Sequence, residues 1–266
     1  MPRFFKRLFK FPQMDFETAV WEMTHLMIAP KKVFKSIYYQ KRTQHDIDKM
    51  ERMGTDTPTE MRNSWHRPDP AFTYLLSFFL LLTSLAWSLA YTPRLSSILK
   101  LSFMFIFIHF LLGSLVVSTL FYLLVGRLLG PGVAGLPGRR RTQGLFGPST
   151  SSTDALEFGY CFDVSIRAFF PPYVLLYIVQ YILMPAIDHS NKASMFVANT
   201  LYLVAGCYWS LITFLGFNSL TFLQHTRLLL GPVPVMGVVW LGCTVGGVNL
   251  ERWGVSWLFW GVDISK

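Results

Sequence analysis

The chain has 266 residues, of which 52% are hydrophobic and only 15% are charged. Soluble domains carry about 25% charged residues, so this composition argues against a soluble enzyme. The net charge is +9, and the apolar residues are gathered in long uncharged runs, which is the pattern of membrane-spanning helices. Three cysteines without a Cys-x-x-Cys pair indicate neither a disulfide framework nor a zinc site. We therefore predict an all-α, polytopic membrane helix bundle.

Aromatic and basic residues alternate in the N-terminal segment, residues 1–11. Aromatic residues four positions apart share one face of a helix, so the segment is predicted to be a short basic amphipathic helix. Each Lys or Arg beside an anionic membrane surface contributes about 1 kcal/mol of binding, so the cytosolic leaflet or a partner protein fits this segment. Its candidate binding residues are Arg3, Phe4, Phe5, Lys6, Arg7, Phe9 and Lys10.

A second amphipathic helix is predicted immediately after the first. Asp15 is a suitable N-cap, and Pro30 ends the helix before a third basic and aromatic segment, Lys31–Arg42. The predicted apolar stripe consists of Phe16, Val20, Met23 and Met27. Residues 1–67 are thus predicted to form cytosolic basic helices with a flexible polar insert. We predict no nucleic-acid binding, because no RNA-binding motif accompanies the basic residues.

Five apolar runs are long enough to cross a bilayer, which takes about 20 residues. They are Ala71–Tyr91, Ile98–Val125, Ala168–Ile187, Met195–Phe217 and Pro232–Leu250. The stretch Trp253–Trp260 is too short to span a membrane, and its aromatic composition is typical of the interface. The predicted organisation is a five-span bundle at residues 68–250, with a flexible cytosolic connection at 126–167, and an aromatic interfacial lumenal tail at 251–266.

The lysines and arginines are distributed unevenly around these runs. Nineteen of the 24 lie in residues 1–67 or in the connections that follow the second and fourth runs. Basic residues accumulate on the cytosolic side of membrane proteins, so the N-terminus is predicted to be cytosolic and the C-terminus lumenal. Two polar segments on the cytosolic side, Gln44–Arg62 and Gly130–Thr153, have the composition of flexible linkers.

The segment Glu157–Pro172 precedes the third run and is predicted to be an interfacial helix. Its candidate binding residues are Tyr160, Phe162, Asp163 and Arg167. The spacing of Asp163 and Arg167 allows an ion pair within one helix, which is a structural interpretation of those two residues. The alternative interpretation is a functional surface, and a lipid-modifying enzyme that uses Glu157 or Asp163 is a further alternative.

Polar residues within the runs are few, and the intramembrane candidates are His109, Gln180 and Asn199. A polar group in a membrane span is a functional candidate by default, but one hydrogen bond between helices also accounts for it. If these groups line a cavity, the protein is a small transporter, channel or lipid-handling protein. No catalytic or metal-binding motif accompanies them, so we predict no enzymatic activity and no cofactor.

Five segments in chain order resemble the Unc-fifty family of Gmh-type Golgi membrane proteins. They are Arg3–Met23, Asp69–Phe72, residues 157–171, Asn199–Ala205 and Thr213–Leu223. The resemblance implies five spans, residence in Golgi and early secretory membranes, and a role in vesicle trafficking. It also implies association with a large Arf guanine-nucleotide exchange factor, so the expected function is that of a membrane adaptor. Gln44–Met61 departs from the animal members as an insertion.

The distribution of basic charge makes the topology testable. With a tag at each end, protease added outside sealed Golgi vesicles is expected to digest the N-terminal tag and to spare the C-terminal tag, because basic segments remain in the cytosol. Digestion of the C-terminal tag in intact vesicles would contradict five crossings.

Overall fold

The structure is a computed structural model that describes residues 15–36, 70–92, 94–128, 156, 158–187, 191–220, 223 and 226–260. Every regular element in these residues is a helix. Five helices are long and apolar enough to cross a membrane, which confirms the polytopic helical prediction. They are Ala71–Tyr91 (span 1), Leu95–Val125 (span 2), Phe158–Ile187 (span 3), Lys192–Asn218 (span 4) and Thr226–Val245 (span 5).

Two shorter helices accompany the spans: Phe16–Ile28, here the 16–28 helix, and Leu250–Leu258, here the 250–258 helix. Residues 30–36 are also helical. The predicted helix at residues 1–11 and the two predicted linkers, Gln44–Arg62 and Gly130–Thr153, lie outside the described residues.

Spans 2 and 3 each change their helical geometry partway along. Span 2 is α-helical at Leu95–Phe103, π-helical at Met104–Leu112 and α-helical again from Gly113, in a helix that continues beyond the span to Leu128. Span 3 is α-helical at Phe158–Tyr173, π-helical at Val174–Val179 and α-helical at Gln180–Ile187. A π-helix bonds each N–H to a carbonyl five residues back, which shifts the hydrogen-bond ladder and leaves room for side-chain contacts.

Two helices have ends that differ clearly from the predicted apolar runs. The helix of span 3 begins at Phe158, ten residues before the predicted run, so the predicted interfacial helix is continuous with it. Pro171 and Pro172 lie inside this helix, and membrane helices tolerate prolines because neighbouring groups satisfy the backbone. Span 5 ends at Val245 rather than at Leu250, since Gly247 follows with φ of 72°, a conformation that favours glycine.

Span 5 has two parts. Thr226–Leu230 forms a 3₁₀-helix, and Pro232–Val245 forms an α-helix that has proline in its first turn. Proline fits the first turn because the N–H groups there have no partner within the helix.

The described residues fall into two compact units. The first unit comprises the described residues within 1–72, 117–164 and 214–226, and the second comprises those within 73–116, 165–213 and 227–266. Buried apolar side chains fill both: Leu26, Phe34, Val164 and Phe217 in the first, and Trp87, Phe105, Tyr173 and Ile187 in the second.

The 16–28 helix belongs to the first unit and begins at Asp15. The Asp15 side chain accepts a hydrogen bond from the Thr18 backbone N–H at 3.1 Å, as expected of an N-cap. The helix buries Ala19, Glu22, Met23 and Leu26. Two residues of the predicted stripe, Phe16 and Val20, are instead 40% and 50% exposed. The helix is apolar on more than one side, so its sequence pattern does not single out the buried face.

Close packing within the first unit depends on the glycine at position 216. A Cβ atom added to Gly216 would lie 2.7 Å and 2.9 Å from the two methyl groups of Val164, and 3.4 Å from the ring of Phe34. Only glycine therefore allows span 4 to approach these two side chains so closely.

We predict that Gly216→Ala destabilises the protein by about 1–3 kcal/mol, because the stiff β-branched side chain of Val164 must move to admit a methyl group. The matched control is Gly159→Ala, also in a helix, where an added Cβ would meet nothing within 4 Å. The control should be neutral or slightly stabilising. Thermal unfolding in detergent measures both, and equal melting temperatures would contradict the packing argument.

Candidate functional site

The candidate binding residues between Arg3 and Lys10 lie outside the described residues, and their role stays a prediction. In the described part of the first unit, the outer side of the 16–28 helix carries four exposed apolar side chains, among which the exposed Glu17 and Thr24 also lie. The four are Phe16, Val20, Trp21 and Ile28, which we call the apolar helix face. Three exposed lysines follow in sequence, at positions 31, 32 and 35.

The aromatic side chain in the apolar helix face is held in place by its own helix. The rings of Trp21 and His25 stack with centroids 4.2 Å apart, and His25 Nδ1 lies 2.9 Å from the Trp21 backbone carbonyl oxygen. Two rings fixed in this way lose little conformational freedom on meeting a partner.

The candidate residues of span 3 differ in their accessibility. Tyr160 is buried, and its hydroxyl donates to the Gly216 carbonyl and lies 2.9 Å from the Ser219 hydroxyl. Phe162 and Asp163 are half-buried, whereas Arg167 is buried. The predicted binding role of this segment stays a prediction. Tyr160 and Arg167 are buried and contribute to the packing of the protein. Phe162 and Asp163 remain partly accessible to a partner.

The histidine predicted as an intramembrane candidate lies in a buried aromatic cluster of the second unit. His109 Nδ1 is 3.0 Å from the hydroxyl of Tyr177, which links span 2 to span 3. The ring of His109 stacks on Phe105 and, with an interplanar angle of 6°, on Trp257 of the 250–258 helix. Sequence reasoning missed both partners of His109: Tyr177 lies in an apolar run, where an aromatic residue does not stand out by hydropathy, and Trp257 lies in the stretch predicted to be interfacial.

Gln180 and Asn199 also bond across helices within the second unit. The Gln180 side-chain oxygen accepts from the Tyr202 hydroxyl at 3.1 Å. The Asn199 amide donates to the Val248 carbonyl at 3.0 Å, and its oxygen accepts from the Leu250 N–H at 2.9 Å. All three intramembrane candidates therefore have a hydrogen-bond partner within the unit. That is what the structural interpretation requires, and the transporter alternative stays a prediction.

Glu251 is a buried polar residue that sequence reasoning also missed. It is 3% exposed, lies in the first turn of the 250–258 helix, where its N–H donates to the N-cap Asn249, and interacts electrostatically with Tyr202. The sequence places it at the start of the predicted interfacial tail, and the packing of the 250–258 helix against span 4 buries it.

These observations define the class of protein: a multi-pass α-helical membrane protein whose intramembrane polar residues hold helices together. The chain belongs to the UNC-50 family, whose family model matches residues 4–259.

Similar proteins come from fungi and animals. The chain is 36% identical over 249 residues to Protein GMH1 homolog of Schizosaccharomyces pombe, covering 92% of each chain. It is 32% identical over 255 residues to Protein unc-50 of Caenorhabditis elegans, covering 95% of this chain and 72% of that protein. It is 28% identical to Protein GMH1 of Saccharomyces cerevisiae, covering 95% of this chain and 84% of that one. No solved structure matches the chain.

The contribution of the contact between His109 and Tyr177 to the free energy of unfolding can be measured by a double-mutant cycle of Tyr177→Phe and His109→Leu. Hydrogen bonds between membrane helices contribute about 0.6 kcal/mol on average and up to about 1.7, so we expect a coupling energy in this range. Unfolding in detergent measures it.

The matched control replaces Tyr177→Phe by Tyr181→Phe, because the Tyr181 hydroxyl donates to the Ala86 carbonyl, at 3.4 Å, rather than contacting His109. In the control cycle, the changes in the free energy of unfolding caused by His109→Leu and Tyr181→Phe should add. If the changes caused by His109→Leu and Tyr177→Phe also simply added, the hydrogen bond would not stabilise the fold.

Proposed function

We propose that this protein is an adaptor of Golgi and early secretory membranes that recruits a large Arf guanine-nucleotide exchange factor. The observation that carries the proposal is the apolar helix face of the first unit, which lies on a helix whose opposite side is buried. An exposed apolar patch on a docked helix is the type of surface that binds a protein partner.

The composition of this face favours a protein partner. Aromatic side chains such as Phe16 and Trp21 contribute disproportionately to binding energy at protein interfaces. Exposed lysines at positions 31, 32 and 35 add positive charge, so an acidic rim on the partner would speed association and fix its orientation. Because the stack of Trp21 on His25 is formed before binding, little entropy is lost when the partner arrives.

A second patch in the first unit supports the same proposal. Phe162 and Asp163 are partly accessible, and Phe162 stacks with Phe158 at a centroid distance of 6.5 Å. A partner that contacts two patches of one protein gains from a high effective concentration at the second patch. In this proposal the basic residues from Arg3 to Lys10 bind anionic lipids of the cytosolic leaflet, which holds the surface at the membrane.

The proposal requires the apolar helix face to lie on the cytosolic side of the membrane, and the distribution of basic residues supports this placement. Basic residues are concentrated in residues 1–67, which would place the apolar helix face in the cytosol, where the exchange factor acts. Family membership supports a role in membrane traffic, as the resemblance of the sequence implied. The names of the relatives describe no reaction, and the proposal assigns no catalytic step to this chain.

The test is co-purification of the exchange factor with the full-length protein in mild detergent. We expect the double variant Phe16→Ser, Val20→Ser to lower the amount recovered by about tenfold, which corresponds to about 1.4 kcal/mol. Phe162→Ser should lower it as well, because it removes the second patch.

The matched control is Ser256→Ala. Ser256 is exposed on the 250–258 helix of the second unit and belongs to neither patch, and its hydroxyl donates to the Arg252 carbonyl of its own helix, so recovery should stay unchanged. Each variant must melt at the wild-type temperature and reach the Golgi at normal abundance. Undiminished recovery with correctly placed, folded Phe16→Ser, Val20→Ser protein would show that the adaptor surface lies elsewhere.

A further inference from the structure

The 250–258 helix packs against two membrane-spanning helices of the second unit. The N–H of Leu250 donates to Asn199 of span 4 at 2.9 Å, and a Cβ atom at Gly254 would overlap the hydroxyl of Tyr202 in the same span. Trp257 stacks on His109 of span 2, with ring centroids 5.0 Å apart. These contacts fix the depth at which the helix lies.

That depth is within the hydrocarbon of the bilayer. Span 4, Lys192–Asn218, has its middle at residue 205. The hydrocarbon core extends about 15 Å to each side of its middle, which is about ten residues of α-helix. Asn199 and Tyr202 are six and three residues from the middle of span 4, and His109 is one residue from the middle of span 2. The 250–258 helix therefore contacts the spans below the level of the headgroups.

The exposed side of the 250–258 helix combines a positive charge with aromatic rings. Its buried side carries Glu251 and Leu258. Arg252 and Ser256 are exposed on the other side, and three tryptophans accompany them with exposures of 76%, 58% and 69%. We call this exposed set the arginine–tryptophan face: Arg252, Trp253, Ser256, Trp257 and Trp260.

Most polar groups of this face find no partner in the described part of the chain. The Ser256 hydroxyl donates to the Arg252 backbone carbonyl at 2.7 Å and is satisfied. In contrast, no carboxylate of the described residues lies within ion-pair distance of the Arg252 guanidinium, and no described acceptor bonds the indole N–H of Trp253 or Trp260. A charged side chain at hydrocarbon depth is costly unless it pairs with an acid or reaches water.

We propose that the arginine–tryptophan face docks a transmembrane helix of another membrane protein, one that carries a carboxylate at the same depth. This inference does not rest on the proposed adaptor role. A carboxylate would accept charge-assisted hydrogen bonds from the guanidinium, and such bonds are strong where water is excluded. Tryptophan and arginine are also the residues that contribute most to binding energy at protein interfaces.

Charge favours a different protein over a second copy of this chain. Glu251 is the one carboxylate among the described residues of the second unit, and it is 3% exposed. The corresponding surface of a second copy therefore offers no accessible acid to Arg252. Lipid acyl chains offer no acceptor either, so they leave the guanidinium and the indole N–H groups unsatisfied.

Span 5 provides apolar surface beside the arginine–tryptophan face for the length of a docked helix. Asn199 contacts both Thr244 of span 5, at 3.4 Å, and Leu250, so the end of span 5 and the start of the 250–258 helix converge on one residue. Val238 and Val245 of span 5 are 73% and 81% exposed. A helix that pairs with Arg252 would thus have apolar side chains to pack against.

The test uses the full-length protein in phosphatidylcholine vesicles, with polyleucine transmembrane peptides as probes. One peptide carries a single Glu about five residues from its centre, which is about 7 Å from the bilayer middle, and a second carries Gln there. Energy transfer from labelled protein to labelled peptide gives the Kd of each. We expect the Glu peptide to bind about tenfold more tightly, as charge-assisted hydrogen bonding predicts. A Glu at the end of the peptide should give no such preference.

Variants of the protein locate the contact. Arg252→Gln should abolish the preference for the Glu peptide, and Arg252→Lys should retain part of it because the charge is kept. Trp253→Ala should weaken the binding of both peptides. The matched control is Arg227→Gln, which removes an exposed arginine near the start of span 5 and should leave the tenfold preference unchanged.

Three results would overturn the proposal. Equal binding of the Glu and Gln peptides by the wild-type protein would show that the guanidinium reaches headgroups or water instead. A preference for Glu that survives Arg252→Gln would place the acid-binding site elsewhere. Energy transfer between two labelled copies of the protein, undiminished by either peptide, would show that a second copy covers the face. The first comparison uses only wild-type protein, so it holds even where a variant does not fold.

Discussion

The hydrogen bonds of Tyr177 tie three spans of the second unit together. Its hydroxyl contacts His109 of span 2, and its backbone carbonyl accepts the indole N–H of Trp87 from span 1 at 2.9 Å. Within the hydrocarbon of a bilayer there is no water to satisfy these groups, so each must find its partner in the protein. The positions of the polar side chains in the second unit follow from this constraint.

The same constraint accounts for irregular backbone in span 3. Pro171, Pro172 and Pro185 lie inside its helices and lack the N–H that would bond to the preceding turn. A π-helical stretch, Val174–Val179, separates them, and Tyr177 lies within it. A shifted hydrogen-bond ladder makes backbone carbonyls accessible to side chains, and the bond from Trp87 to Tyr177 uses one of them.

The two units meet different requirements. In the second, His109, Gln180 and Asn199 bond to other side chains or backbone groups of the unit, and the exposed side chains are mainly apolar or aromatic, as lipid surroundings require. In the first, the hydrogen bonds of Tyr160 and the close contacts at Gly216 hold a helix whose outer side is apolar and is followed by lysines. A membrane adaptor needs both properties: an anchor stable in lipid, and a preorganised surface that a partner can recognise.

The sequence by itself determined the number of spans and the identity of the polar intramembrane residues. Hydropathy is a local property, so runs such as Ala71–Tyr91, and polar exceptions such as His109, are visible without any structure. The partners of those residues were not visible, because Tyr177 and Tyr202 read as ordinary apolar positions and the Val248 carbonyl has no sequence signal.

Tertiary structure alone decided which side of the 16–28 helix is buried, since its residues are apolar on several sides. It also decided that Tyr160 and Glu251 are buried, because burial depends on which distant segments fold back onto a residue, and local sequence does not encode that.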